Sequence, residues 1–107
     1  MKADALILTD ADFDAKTAAG VVLIDFWAPR CPPCRVQGPI IDKVAALMDG
    51  KAVVGKCDVD KQPKTAERFG IKKIPALVIL KDKQEVARLM GLHQEAALIT
   101  ALNTHLE

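Results

Sequence analysis

The feature that most constrains the fold is a nearly unbroken apolar run at residues 21–27. The run is Val-Val-Leu-Ile-Asp-Phe-Trp, and only Asp25 interrupts its apolar character. A short run rich in β-branched residues is typical of a central strand that is buried on both faces. Because other elements must cover both faces, the sequence predicts a mixed sheet with helices on each side.

Strand and helix patterns alternate along the rest of the chain in the order β-α-β-α-β-α-β-β-α. The predicted strands are residues 5–8, 21–27, 52–59, 76–80 and 85–90. The first predicted helix begins at an N-cap formed by Thr9-Asp10 and ends at Gly20. The other predicted helices are residues 32–48, 63–69 and 93–106. The last two strands form an antiparallel hairpin around a turn at residues 81–84. The fold class is therefore α/β, with about five strands and about four helices.

Composition favours one small domain, residues 1–107, because half of the residues are hydrophobic and can form a single core. Fifteen basic residues balance fourteen acidic ones, and there is no basic stripe with interleaved aromatics. We therefore expect no nucleic-acid partner.

The longest apolar run, Ile74 to Leu80, is too short to span a bilayer, and the polar start of the chain does not resemble a secretory leader. We expect a cytoplasmic monomer without a membrane partner.

Cys31-Pro32-Pro33-Cys34 lies between the central strand and the second helix. The two cysteines share one helical turn, which is close enough for a disulfide. Cys31 lies at the helix N-terminus, where free N–H groups and the helix dipole favour a thiolate. The motif predicts dithiol–disulfide exchange in which Cys31 attacks a substrate disulfide and Cys34 resolves the mixed disulfide.

The alternative for this motif is a structural zinc half-site, which would need two further ligands. The other candidate ligands are Cys57, His93 and His105, and there is no second Cys-x-x-Cys. Exchange chemistry is therefore favoured over metal binding. Cys57 lies in a strand pattern and is expected to be a buried, inert thiol, with a regulatory or metal role as the alternative.

Asp25 lies inside the apolar run, so its carboxyl group is expected to be buried and its pKa raised. Such a group can exchange protons near neutral pH and could serve Cys34 as a base, directly or through water. The alternative is an Asp at the edge of a strand that points to solvent. Lys56, in the adjacent predicted strand, is either a partner for Asp25 or an ordinary exposed lysine.

Ile74-Pro75 stands at the entry to an apolar strand, where proline is unusual unless the chain turns. A cis bond is one way to make that turn, although base rates alone favour trans. The residues around Ile74-Pro75 therefore leave both the cis and the trans form open.

These motifs together resemble the thioredoxin family over essentially the whole chain. The matching segments are residues 25–35, Pro39, residues 56–60, 69–71 and 74–77, and Gly91. The resemblance implies a thioredoxin fold and a protein-disulfide reductase. It also implies that electrons come from NADPH through a flavoprotein, thioredoxin reductase, and that the chain binds neither cofactor itself. From the lack of further ligands for the cysteine pair, we also expect no bound metal.

The resemblance also assigns roles to individual residues. Cys31 matches the attacking thiol and Cys34 the resolving thiol, while Asp25 matches the buried proton-transfer acid and Lys56 the lysine beside it. The residues that match the substrate surface are Trp27, Ile74, Pro75 and Gly91. Pro75 matches the cis-proline that faces the disulfide, so we predict that Ile74-Pro75 is cis and faces Cys31, which leaves the backbone of Ile74 free to pair with an extended substrate. Disulfide-containing proteins are the implied substrates.

Two positions depart from the usual family sequence Trp-Cys-Gly-Pro-Cys. Arg30 replaces the tryptophan and places a cation beside Cys31, which favours a thiolate. Pro32 replaces the glycine and removes an N–H near the sulfur, which acts in the opposite direction. Because the dipeptide between the cysteines affects the reduction potential, a specialised disulfide oxidase or isomerase remains an alternative function. A non-catalytic metal-binding or scaffold module is the second alternative.

Overall fold

A computed structural model describes residues 4–106 of the chain. The predicted domain, residues 1–107, includes residues 1–3 and 107, which lie outside that range. The elements in chain order are β1 (Leu6–Ile7), α1 (Phe13–Lys16), β2 (Val21–Trp27), α2 (Pro32–Leu47), β3 (Val53–Asp58), α3 (Pro63–Arg68), β4 (Ala76–Lys81), β5 (Gln84–Met90) and α4 (Glu95–Thr104). The predicted order of strands and helices is confirmed.

The strands form one five-stranded mixed sheet in the order β1-β3-β2-β4-β5. β1 and β2 both run parallel to β3, whereas β4 is antiparallel to β2 and β5 is antiparallel to β4. β2 is therefore central, and six of its seven residues are buried. The predicted mixed sheet is confirmed, and the arrangement is the thioredoxin fold that the family resemblance implies.

The two faces of the sheet pack into separate apolar cores, because successive side chains of a strand point to opposite faces. On one face, Leu23 and Leu77 pack with Ile41 and Val44 of α2 and Leu98 of α4. The residues of the other core include Leu8, Phe13, Val22, Ile24, Phe26, Cys57 and Val78, with Phe69 packed against them. By the same alternation Asp25 shares a face with Leu23, which places its carboxyl group beneath α2.

The hairpin between β4 and β5 closes with Asp82 and Lys83, whose φ angles are 48° and 74°. Two successive residues with positive φ are typical of the tight turns that match the twist of a hairpin. The predicted hairpin is confirmed, and its strands extend one residue further into the turn on each side than predicted.

The first helix is much shorter than predicted. Thr9 and Asp12 exchange side-chain-to-backbone hydrogen bonds of 2.7 and 3.2 Å, and the α-helix itself covers only Phe13–Lys16. Gly20, with φ of 75°, donates its N–H to Asp82 Oδ1 at 2.9 Å and accepts from the Asp82 N–H at 3.0 Å. The segment after Lys16 is thus drawn into the β4–β5 turn instead of continuing as a helix.

Asp10 does not cap α1 as predicted. Its carboxylate accepts the backbone N–H and the hydroxyl of Thr65 at 2.8 and 2.7 Å and therefore anchors the first turn of α3. The remaining element ends differ from prediction by one or two residues, as is usual where helices and strands fray. None of the helices within residues 4–106 is long and apolar enough to cross a bilayer.

Candidate active site

The two cysteines of the motif lie at the start of α2 and form a disulfide. Cys31 is the N-cap residue, and Pro32 and Pro33 occupy the first helical positions, where a missing N–H leaves no hydrogen bond unmade. The Cys34 N–H points at Cys31 Sγ at 3.3 Å. Because the two prolines have no N–H, Cys34 supplies the first backbone donor of the helix, and that donor is aimed at the Cys31 sulfur.

Cys31 faces the loop that leads into β4. Its Sγ lies 3.7 Å from the carbonyl oxygen of Ile74, and the Ile74–Pro75 bond is cis. The backbone carbonyl of Pro75 in turn accepts a hydrogen bond from the Gly91 N–H at 2.9 Å. The predicted cis bond and its position opposite Cys31 are both confirmed, and Gly91 is held beside them.

Asp25 is fully buried, and neither of its carboxyl oxygens has a hydrogen-bond partner within residues 4–106. Burial raises the pKa of Asp25 from 3.8 to about 7, since the ionised form loses its hydration. The positive charge of Lys56 opposes this rise, and the negative charge of Asp42 adds to it. The alternative of a solvent-facing Asp25 is wrong.

Lys56 lies directly opposite Asp25 in the register of β2 and β3. Its ammonium group does not hydrogen-bond to Asp25; it forms an ion pair with Asp42 of α2, with Nζ 3.0 Å from Oδ2. The Lys56 side chain is only 22% exposed, so it is not an ordinary surface lysine. Its interaction with Asp25 is through space, and its direct partner is a residue that the sequence did not point to.

A small cavity of about 210 Å³ connects Asp25, Cys34 and Lys56. Trp27, Arg35 and the backbone of Gly38 complete its lining. The cavity places the buried carboxyl group and the second cysteine on one shared space that is large enough for a bridging water. Trp27 therefore lies on the Asp25 side of the site, and no hydrogen bond within residues 4–106 joins it to the Ile74–Gly91 side.

Comparison with known proteins agrees with this geometry. The thioredoxin family model matches residues 4–104. Thioredoxins of Staphylococcus aureus, from strains Mu50 and COL, are each 42% identical over 99 residues, which cover 92% of this chain and 95% of theirs. The structure of a mutant thioredoxin from Halobacterium salinarum superposes with a TM-score of 0.89 at 32% identity, covering 97% of this chain and 92% of that one.

This chain belongs to the thioredoxin family. The family match and the Cys31–Cys34 disulfide at the start of α2 make it a thiol–disulfide oxidoreductase of the protein-disulfide reductase type. The fold, the motif and the family therefore agree on one class of chemistry, and the remaining features of the site can be considered within it.

Arg30, which stands where most thioredoxins have tryptophan, does not present a free cation to Cys31. Its guanidinium group forms two-point contacts with Asp60, with Nε and Nη2 each 3.1 Å from a carboxylate oxygen. The pair is solvent-exposed, with 66% and 47% of the two side chains accessible. Because the partner charge offsets the guanidinium, the thiolate-favouring effect expected of Arg30 is smaller than the sequence suggested.

Gln37 is a structural residue of the site that the sequence analysis missed. Its buried side chain accepts the N–H of His93 at 2.8 Å and donates to the His93 carbonyl at 2.9 Å. It thereby ties α2 to the loop that carries Gly91. A polar residue three positions after Cys34 and four before Ile41 lies on the inward face of the helix, and that spacing was the available signal.

Cys57 is fully buried on the opposite face of the sheet from Asp25, as expected of an inert thiol. Burial raises the pKa of its thiol to about 12, so the reactive thiolate is scarce at neutral pH. Within residues 4–106, no group of three or more His, Cys, Asp or Glu side chains could hold a metal ion.

Proposed function

We propose that this protein reduces protein disulfides with Cys31 as the attacking thiol and Cys34 as the resolving thiol. The observation that carries this assignment is the position of Cys31 as the N-cap of α2, with the Cys34 N–H aimed at its sulfur. The N-terminus of a helix and a backbone donor both favour the thiolate, which is the nucleophile. Cys31 is also the more accessible of the two, at 8% exposure against 1% for Cys34.

The reaction proceeds in two exchanges. The Cys31 thiolate attacks one sulfur of the substrate disulfide, and the other substrate sulfur leaves as a thiolate. Cys34 then loses its proton and attacks Cys31. The Cys31–Cys34 bond forms, the bond between Cys31 and the substrate breaks, and the second substrate sulfur leaves with the electron pair. Two electrons pass from the dithiol to the substrate, and solvent protons neutralise the released thiolates.

Asp25 is the group that accepts the Cys34 proton, and Lys56 adjusts its basicity. Support comes from their shared cavity and from a pKa for Asp25 of about 7, which suits a group that takes and returns protons at neutral pH. Proton transfer across the cavity is direct or runs through one water.

The substrate lies across Ile74, Pro75 and Gly91, with Trp27 on the far side of Cys31. The backbone around Ile74 is the element that pairs with an extended peptide, as a strand does at a sheet edge. The short distance between Cys31 Sγ and the Ile74 carbonyl, 3.7 Å, supports this arrangement, because it would bring the substrate disulfide to the thiolate.

The electron source is NADPH, delivered through the flavoprotein thioredoxin reductase, and the chain itself holds neither cofactor. We further propose that residues 1–107 form a single domain, that the protein acts as a monomer, and that it works in the cytoplasm, where thiols are kept reduced. A coupled assay of insulin reduction with NADPH and thioredoxin reductase tests the electron source.

A trapping experiment tests the cysteine roles. Cys34→Ser should accumulate mixed disulfides with substrate proteins, because the resolving thiol is absent, while Cys31→Ser should accumulate none. Non-reducing electrophoresis after incubation with a disulfide substrate reads out both variants. Trapping by Cys31→Ser alone would reverse the assignment.

The reduction potential separates a reductase from a specialised oxidase or isomerase. A general reductase should have a reduction potential of about −270 mV, whereas a disulfide isomerase or oxidase should lie at about −180 to −120 mV. Pro32 and the paired Arg30 are the reasons to measure it, since both alter the surroundings of the Cys31 sulfur. A potential near or above that of glutathione would replace the reductase proposal with the oxidase or isomerase.

A further inference from the structure

Lys56 has two carboxylates within its surroundings and hydrogen-bonds to one of them. It stands opposite Asp25 on neighbouring parallel strands, where side chains on the same face lie about 5 Å apart. A lysine in that position would ordinarily pair with a buried acid, because each charge offsets the cost of burying the other. Its ammonium group instead contacts Asp42, and the Asp25 oxygens have no partner within residues 4–106.

We propose that Asp42 is a positioning residue for the exchange reaction, which holds the Lys56 ammonium group against α2 and so leaves Asp25 free to take up and release the Cys34 proton. This inference rests on the proposed role of Asp25 and adds a residue to it. Asp42 touches neither the cysteines nor a substrate, so its action passes through Lys56.

Asp42 is built to hold this position. One carboxylate oxygen accepts the Ala5 N–H at 3.2 Å, and the other contacts Lys56 Nζ at 3.0 Å. The residue lies one helical turn after Gly38, on the same face of α2. A Cβ built at Gly38 would lie 3.6 Å from Lys56 Nζ, which is an ordinary van der Waals distance, so the ammonium group packs directly against this turn of α2.

The charged groups around Asp25 determine how its pKa would change if the Asp42 carboxylate were removed. Lys56 faces it from β3, and Asp42 and Arg35 belong to α2, while β4 presents only Leu77 opposite Asp25. Without the Asp42 carboxylate, the lysine would turn to the nearest remaining anion. An opposite charge within about 4–6 Å lowers a carboxyl pKa by about 1–3. Asp25 would then stay ionised near neutral pH and become a weaker base for Cys34.

The experiment compares Asp42→Asn with wild type, Lys56→Met and the double variant. Asparagine keeps the shape of the side chain and can still accept the Ala5 N–H, so the fold should be retained. The first readout is the Asp25 carboxyl titration in the reduced protein, by carbon-13 NMR. The second is the pH profile of resolution, measured from the release of coloured thionitrobenzoate from a mixed disulfide on Cys31.

Asp42→Asn should move both midpoints down by about 1 pH unit, and Lys56→Met should move them up. If Asp42 acts by holding Lys56, Asp42→Asn should shift the midpoints less than half as far in the Lys56→Met background. Asp42→Glu should restore most of the wild-type profile, and Asp49→Asn, which removes an exposed acid just after α2, should change nothing.

Unchanged Asp25 midpoints in folded Asp42→Asn would overturn the inference. A full-sized shift in the Lys56→Met background would also overturn it, because Asp42 would then act only as a nearby negative charge. The proposed function is judged separately: it fails if Cys34→Ser releases thionitrobenzoate as fast as wild type, whatever Asp42→Asn does.

Discussion

Replacing Asp25 with asparagine should stabilise the protein in a pH-dependent way. The carboxyl group is fully buried without a hydrogen-bond partner, and its pKa rises from 3.8 to about 7 on folding. Below pH 3.8 both the folded and unfolded chains hold the proton, so ionisation has no effect on stability. Between pH 3.8 and about pH 7, Asp25 ionises only in the unfolded chain, so the free energy of unfolding falls as the pH rises. Above about pH 7 the folded chain ionises too, and the loss of stability has reached its full size.

The size of the effect follows from the two pKa values. Each tenfold change in a proton's dissociation constant corresponds to about 1.4 kcal/mol. The change from 3.8 to about 7 therefore corresponds to an upper value of about 4 kcal/mol. Since total stabilities are about 5–15 kcal/mol, the loss is large for a domain of this size.

Urea unfolding of the oxidised protein at about pH 4 and about pH 8.5 measures the effect. Asparagine leaves a buried amide whose cost does not depend on pH, so that cost cancels between the two conditions. The free energy gained by Asp25→Asn should be greater at the higher pH by up to about 4 kcal/mol. Asp49→Asn, at an exposed position, serves as the control and should show no comparable difference. Equal gains at both pH values would refute a proton held by Asp25 in the folded state.

Two further predictions concern packing and charge. Gly55→Ala would place a Cβ 2.6 Å from Cδ1 of the buried Leu8, so it should cost about 1–3 kcal/mol in urea unfolding. The cost should be smaller in a Leu8→Ala background, and additive effects would contradict the clash. Asp60→Asn should leave the Arg30 cation unbalanced beside Cys31 and lower the pH at which the Cys31 thiol is alkylated. An unchanged alkylation profile would show that Arg30 has no influence on the sulfur.

The central strand and the motif could be predicted because their signals are local. The apolar run of β2 and the alternation of its neighbours fixed the sheet, and the position of Cys31 before a helix fixed the disulfide pair. The burial of Asp25 followed from the same run. In each case the information lies within a few residues of sequence, which is the range over which periodicity is informative.

The first helix and the partner of Lys56 could not be predicted, because both depend on contacts between distant segments. Ala18 and Ala19 favour a helix, but the two hydrogen bonds between Gly20 and Asp82 hold that segment against the hairpin turn. The Lys56–Asp42 pair joins residues fourteen positions apart and exists only once α2 packs on the sheet. Local preferences were overridden in both places by tertiary structure.

The position of Asp25 explains why so costly a residue can be accommodated. It lies on the α2 face of β2 and shares that face with Leu23 of the apolar core, whose packing supplies the stability that an unpaired acid removes. A pKa near neutrality requires the desolvation that the core provides, since a carboxyl group at the surface would titrate near 3.8. The burial that destabilises the fold is therefore the same burial that makes Asp25 a suitable base for Cys34. A variant that relieves the cost of burying Asp25 should also impair its action as a base. The free energy of unfolding at high pH should therefore rise, while the rate at which Cys34 resolves the mixed disulfide should fall.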